Sequence, residues 1–135
     1  MEFEGIAEEL VEQARRSLYR GVSGASDAVE WGRNPLCGDE IQLGIILDGE
    51  SVKELRFDGR GCLVSQGAAS MLCERVAGKT IREVIVATPE QLLGFDPAIL
   101  TMNRQRCAML GYEVLQELLR KLSRDHSGDV AAVEE

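Results

Sequence analysis

The chain is poor in aromatics, histidine and basic residues, and each shortage closes off a class of answers. Aromatic side chains make up only 4% of it, so a core has to come from the aliphatics that raise the hydrophobic fraction to 44%. Lys and Arg number 15 against 23 Asp and Glu, a formal net charge of −8. Nucleic acid and anionic membrane surfaces both need a basic face and are disfavoured as partners. No apolar run approaches the roughly 20 residues of a membrane helix. The start, MEFEGIAEEL, lacks the basic residues and apolar block of a secretory signal. The expectation is a soluble, cytoplasmic protein. The only histidine, His126, falls in a polar C-terminal stretch away from the other candidate ligands.

At 135 residues the chain has the length of one domain. Ile6, Leu10, Ala14 and Leu18 recur at helical spacing and predict a helix over 3–19, ended by Gly21. Residues 21–36, rich in Gly and Ser, read as an irregular segment with room for a short edge strand. Ile41, Leu43, Ile45 and Leu47 alternate, as do Lys53, Leu55 and Phe57, with a turn signal at Asp48-Gly49-Glu50 between them. This is a β-hairpin pattern. Residues 62–77 predict a helix whose small face, Gly67 to Ser70, suits close packing on a sheet. Thr80 and Glu83 match a capping box for a short helix at 81–87. Thr88-Pro89 and Asp96-Pro97 start short helices at 89–93 and 97–102. The longest helical pattern is 103–122. Strands first and helices after give an α+β fold, a small antiparallel β-sheet packed on one side by helices with a long C-terminal helix. The scaffold of that fold spans 1–123, and 124–135 are expected to be a disordered tail.

Four cysteines, Cys37, Cys62, Cys73 and Cys107, remain to be explained. In a chain long enough to fold without staples, thiols more often bind metal, react or pack than pair. Cys37 is followed two residues on by Asp39, with Gly38 between them, so thiolate and carboxylate can converge on one ion. Cys62 stands at the first position of its predicted helix, where free N–H groups and the helix dipole favour thiolate. Cys107 is expected in the first turn of the last helix, with Asn103 as cap and Arg104 and Arg106 beside it. Cys73 falls in mid-helix, roughly 16 Å along the axis from Cys62, and reads as core packing. Three thiolates and one carboxylate suit zinc or the iron of an iron–sulfur cluster, and spacing does not choose between them.

Cys-Gly-Asp at 37–39, Gly-Cys-x-x-Ser-x-x-x-x-Ser at 61–70 and Arg-Cys-Ala-Met-Leu at 106–110 resemble, in order and spacing, the signature blocks of the IscU/NifU N-terminal/SufU family. The resemblance extends over about residues 1–122. It implies a scaffold that accepts persulfide sulfur from a pyridoxal-phosphate cysteine desulfurase. A transient 2Fe–2S cluster is built from iron and sulfur and passed to apo iron–sulfur proteins. Cys37, Cys62 and Cys107 would be persulfide acceptors and metal ligands, with Cys107 favoured as first acceptor. Asp39 would be the ligand that keeps the cluster labile, and zinc can take the same site. A homo-oligomer is compatible with this reading.

The chain departs from the family in three places. Arg106 stands where IscU has a histidine before the last cysteine, and a guanidinium cannot ligate metal. Leu100-Thr101-Met102-Asn103-Arg104 replaces the Leu-Pro-Pro-Val-Lys segment read by a chaperone. Arg104 matches SufU proteins, yet the 44 residues between Cys62 and Cys107 leave no room for the SufU insertion. Two alternatives therefore stand beside the scaffold. One is a zinc-dependent SufU-like sulfurtransferase in which Arg104 stabilises persulfide or thiolate. The other is a thiol-bearing interaction domain with structural zinc or none. Trp31 is expected to cover the site or pack in the core.

Overall fold

The computed structural model describes residues 3–36 and 38–127. Its elements run α1 (Phe3–Arg16), β1 (Ala28–Asn34), β2 (Asp39–Asp48), β3 (Ser51–Arg60), α2 (Leu63–Val76), α3 (Ile81–Val86), α4 (Pro89–Leu93), a 3₁₀ turn (Pro97–Ile99) and α5 (Met102–Ser127). The three strands form one antiparallel sheet in the order β1-β2-β3. This is the expected α+β architecture, with the long helix last.

The hairpin is where the alternating sequence places it, with Leu43 opposite Phe57 and Ile45 opposite Leu55. One detail differs. The register shifts between Ile46 and Leu47, so that Ile46 faces Glu54 and Leu47 faces Val52. Lys53 is the extra residue of this bulge and is exposed, while Val52 takes the core position beside Leu55 and Phe57. A strict period of two puts Lys53 on the apolar face; the bulge turns that charge out to water.

Helix α1 stops at Arg16, three residues short of expectation. Leu18 keeps the helical spacing in sequence but is 79% exposed. The chain there is drawn off the helix to pair with the sheet: Tyr19 O accepts from Phe57 N at 2.9 Å, and Gly21 N donates to Phe57 O at 2.7 Å. Arg20 fixes the corner, its guanidinium 4.8 Å over the Phe57 ring and hydrogen-bonded to Gln66 Oε1 at 2.9 Å. At the other end of β3, Val52 exchanges hydrogen bonds with Gly78 and Lys79, each 2.8 Å long. The outer edge of β3 is thus covered twice, whereas β1 has no backbone partner on its outer side among the described residues.

Helix α2 is buried on nearly every side. Its small face meets α1 rather than the sheet: a Cβ at Gly67 would lie 2.2 Å from Leu10 O. The glycine is what lets the two helix backbones touch. Cys73 lies in the core with no exposed surface, and burial pushes its thiol far up from the ordinary 9.0. Trp31 does not pack in the core; it is 58% exposed on β1.

The capping box expected at Thr80/Glu83 forms, Thr88 makes a second one with Gln91 that was not read from the sequence, and Asp96 caps a 3₁₀ turn instead of a full helix. Helix α5 begins at Met102 and continues to Ser127, through the first four residues of the segment expected to be a tail. Residues 128–135 lie outside the described residues. No helix among the described residues is long and apolar enough to cross a membrane.

Candidate metal centre

One end of the sheet holds the chemistry. Asp39 is the first residue of β2, Arg60 the last of β3, and Gly61 turns the chain from β3 into α2 with φ +128°. That turn brings the start of α2 over Asp39. A Cβ at Gly61 would sit 2.0 Å from Asp39 Oδ1, so only glycine leaves room for the carboxylate.

Asp39 is 1% exposed, rare for a carboxylate without partners. Its Oδ1 accepts from the backbone N–H of Cys62 at 2.9 Å. Cys62 is the N-cap of α2 and makes no side-chain cap of its own, so Asp39 supplies an acceptor at the helix start from another element. The Cys62 thiol is exposed and reaches both Asp39 Oδ2 at 3.5 Å and Ser65 Oγ at 3.9 Å. Ser65, fully buried, donates to Cys62 O at 3.0 Å.

Cys107 completes the group from α5. It is the sixth residue of that helix rather than a first-turn residue, and only 6% exposed. Thr101, not Asn103, caps the helix, its Oγ1 accepting from Arg104 N at 3.4 Å. The dipole argument made for Cys107 from sequence loses force here, because the field falls off within the first turn. Position brings Cys107 in instead. One ligand atom from each of Asp39, Cys62 and Cys107 lies within 4.8 Å of the others. A tetrahedral zinc with bonds of about 2.0–2.3 Å holds its ligand atoms roughly 3.5 Å apart. A small inward rotation of these side chains would therefore close the set on a metal ion. Cys37, the remaining expected ligand, lies outside the described residues.

Arg104 lines a cleft of about 410 Å³ together with Val11, Leu63, Leu100 and both Cys62 and Cys107. Arg106 faces another cleft, shared with Arg33 and Glu113. Cys73 takes no part in the centre. Two residues next to the ligands went unassigned from sequence. Gly61 and Ser65 both belong to the motif around Cys62, but nothing in a motif says that one makes room for a carboxylate or that the other braces a sulfur.

The family model for the NifU-like N terminal domain matches residues 8–127. The chain belongs to this family. Among curated relatives of this NifU-like domain, the iron–sulfur cluster assembly scaffold protein IscU of Thermotoga maritima is 30% identical over 134 residues, covering 87% of this chain and 94% of that one. The zinc-dependent sulfurtransferase SufU of Bacillus subtilis is 34% identical over 76 residues, 56% of this chain and 51% of that protein. A crystal structure of a putative iron–sulfur cluster assembly scaffold protein for the SUF system, from Fervidobacterium islandicum AW-1, superposes with a TM-score of 0.67 at 26% identity, covering 83% of this chain and 94% of that one. The N-terminal part of a NifU-like protein from Brucella abortus, at 16% identity and TM-score 0.70, covering 87% of this chain and 93% of that one, shares the fold.

Proposed function

We propose that this NifU-like domain is an iron–sulfur cluster assembly scaffold. It takes persulfide sulfur from a cysteine desulfurase, builds a labile 2Fe–2S cluster on Cys37, Asp39, Cys62 and Cys107, and hands it to apo-proteins. The observation that supports this most is the convergence of Asp39, Cys62 and Cys107 within 4.8 Å at an open end of the sheet.

Sulfur arrives by thiol exchange. An acceptor thiolate attacks the terminal sulfur of the donor's persulfide, the donor's S–S bond breaks, and the donor cysteine leaves as thiolate. Cys62 is open to that attack as it stands. Cys107, the first acceptor favoured from sequence, is reached through the cleft it shares with Arg104. Each sulfur so delivered is at the oxidation level of the element and takes two electrons to become sulfide; a reduced one-electron carrier, acting twice, supplies them. Ferrous iron is cargo. Asp39 is a harder and weaker ligand for it than thiolate, which suits a site that must let go.

A second reading is favoured by the SufU similarity and by the place of Arg104 beside Cys62 and Cys107. In it, zinc occupies the same four residues, and one cysteine leaves the metal to carry persulfide onward. The test is anaerobic reconstitution, preceded by zinc and iron analysis, with ferrous iron, cysteine and a catalytic amount of desulfurase. A 2Fe–2S spectrum that requires Cys37, Cys62 and Cys107 and moves to an apo-ferredoxin establishes the scaffold. Tightly held zinc, no cluster and faster desulfurase turnover would establish the carrier instead.

A further inference from the structure

The chain is acidic as a whole, yet four arginines gather at the end that holds the candidate centre. Arg33, Glu40 and Arg60 form one row across the three strands. Arg33 Nη1 lies 3.9 Å and Arg60 Nε 3.2 Å from the Glu40 carboxylate, so one negative charge faces two positive ones. The two arginine side chains are 66% and 80% exposed, while Glu40 is held back at 20%. Arg106 shares a cleft with Arg33, and Arg104 lines the cleft that contains Cys62 and Cys107. The opposite end of the same hairpin carries Asp48 and Glu50, and the outer face of α1 carries Glu8, Glu9 and Glu12, all exposed. The arginines at the end where Asp39 and Cys62 meet face Glu40 and Glu113, so positive charge is in excess there, whereas at the far tip Asp48 and Glu50 are mixed with Lys53, Lys79 and Arg82.

The residue type is also selective. All three lysines of the chain, Lys53, Lys79 and Lys121, are placed elsewhere. A guanidinium presents a planar fork that matches a carboxylate and sheds water more readily than an ammonium, which is why arginine is the cation enriched at protein interfaces.

We infer that this end is a docking surface for an acidic patch on a partner protein, whose carboxylates lie against Arg33, Arg60 and Arg106 and so bring its reacting group to Cys62. The inference builds on the proposed function in that the partner gives or receives sulfur or cluster. A nucleic acid also offers negative charge, but a continuous polyanion extends beyond four cations and meets the rest of a chain of net charge −8. A folded partner's acidic patch meets this end alone. Complementary charge of this kind speeds encounter and selects partners, and salt screens it.

Trp31 makes the test direct: it is the single tryptophan, it is exposed, and it shares the outward face of β1 with Arg33. The full chain is titrated with octaglutamate peptide and, separately, with a short DNA duplex, following Trp31 fluorescence at low ionic strength and at about 0.15 M, where the screening length is about 8 Å. The Arg33→Glu/Arg60→Glu variant is titrated in parallel, and zinc binding and circular dichroism are recorded for both. The expected result is saturable binding of octaglutamate that weakens about tenfold or more on charge reversal and on adding salt, with zinc binding unchanged. Arg106→Glu, on a different element, should act in the same direction and covers the case in which the double variant folds poorly. No saturable change, or an affinity indifferent to both substitutions, overturns the inference. Tighter binding of the duplex than of the peptide overturns it in favour of nucleic acid. Failure to hold zinc or cluster with octaglutamate binding intact would instead strike the proposed function and leave the docking surface standing.

Discussion

Asp39 serves Cys62 with both of its oxygens: Oδ1 accepts from the Cys62 backbone N–H at 2.9 Å, and Oδ2 lies 3.5 Å from the Cys62 sulfur. The same carboxylate is therefore a structural acceptor at the start of α2 and a candidate ligand.

The two roles separate in two variants. Asp39→Asn keeps an acceptor for the Cys62 N–H, whereas Asp39→Ala leaves that donor bare. Denaturant unfolding of the metal-free chain should show Asp39→Ala losing about 1–3 kcal/mol and Asp39→Asn less, the cost expected for stranding a partner of a charged acceptor. In reconstituted protein the cluster of Asp39→Ala should outlast that of the unaltered chain, because the weak ligand through which it opens is gone. Faster bleaching of its visible absorption would contradict the lability argument.

Gly61→Ala tests the centre without touching a ligand. With φ at +128° and a Cβ 2.0 Å from Asp39 Oδ1, the substitution strains the backbone and displaces the carboxylate. Zinc affinity, measured by competition with a chelating dye, should fall about tenfold or more while the circular dichroism spectrum stays that of the folded chain. Unchanged affinity would mean that Asp39 is not a ligand.

Gly67→Ala should destabilise even though alanine is the better helix former by about 1 kcal/mol. The added methyl would meet Leu10 O at 2.2 Å, backbone that cannot step aside without parting α1 from α2. Overpacking of this kind costs about 1–3 kcal/mol, so the melting temperature should drop. A rise would show that the two helices are not in backbone contact.

Cys73 gives a pH dependence of known sign. Burial raises its folded thiol pKa above the ordinary 9.0, so below pH 9 the folded and unfolded chains both hold the proton. Above pH 9 the unfolded chain loses it and the folded chain does not, and stability falls as pH rises. The slope due to this one proton is about 1.4 kcal/mol per pH unit. Cys73→Ala should remove that part of the slope between pH 9 and 10.5 in urea titrations, and it should leave cluster formation largely intact. An alkylating reagent should reach the exposed Cys62 well before Cys73.

What the sequence disclosed was whatever is local. The hairpin, the capping box at Thr80, the cap at Thr88, the starts of α2 and α4 and the buried place of Cys73 all follow from patterns a few residues long. The misreadings arose where distant chain intervenes. Leu18 keeps a helical spacing, but pairing of Tyr19 and Gly21 with Phe57 ends α1 sooner. Lys53 keeps a strand's alternation, but a bulge beside Ile46 turns it outward. Asn103 looks like a cap, but Thr101 holds that position, so Cys107 falls two residues, about half a turn, further in than expected. The candidate centre divides in the same way. The ligand types and their motifs stand in the sequence, while the clearance Gly61 gives Asp39 exists only once β3 and α2 are joined at their angle.

The unequal edges of the sheet set a direction for unwanted growth. Since β3 is closed off by the chain on either side of it, any strand recruited from another molecule has to join at β1. That strand is only seven residues long; it exposes Val29, Trp31 and Arg33, keeps Glu30 back against Lys121, and has Gly32 next to its centre. Shortness, charge and glycine are the features by which natural sheets discourage edge-to-edge association. A protein that must keep one face of itself accessible to others while never pairing with its own copies would need its single open seam guarded in this manner. With β3 covered, pairing of β1 with the β1 of a second copy would close that seam and stop at a dimer, so losing the Arg33 charge would favour a closed pair and not a filament.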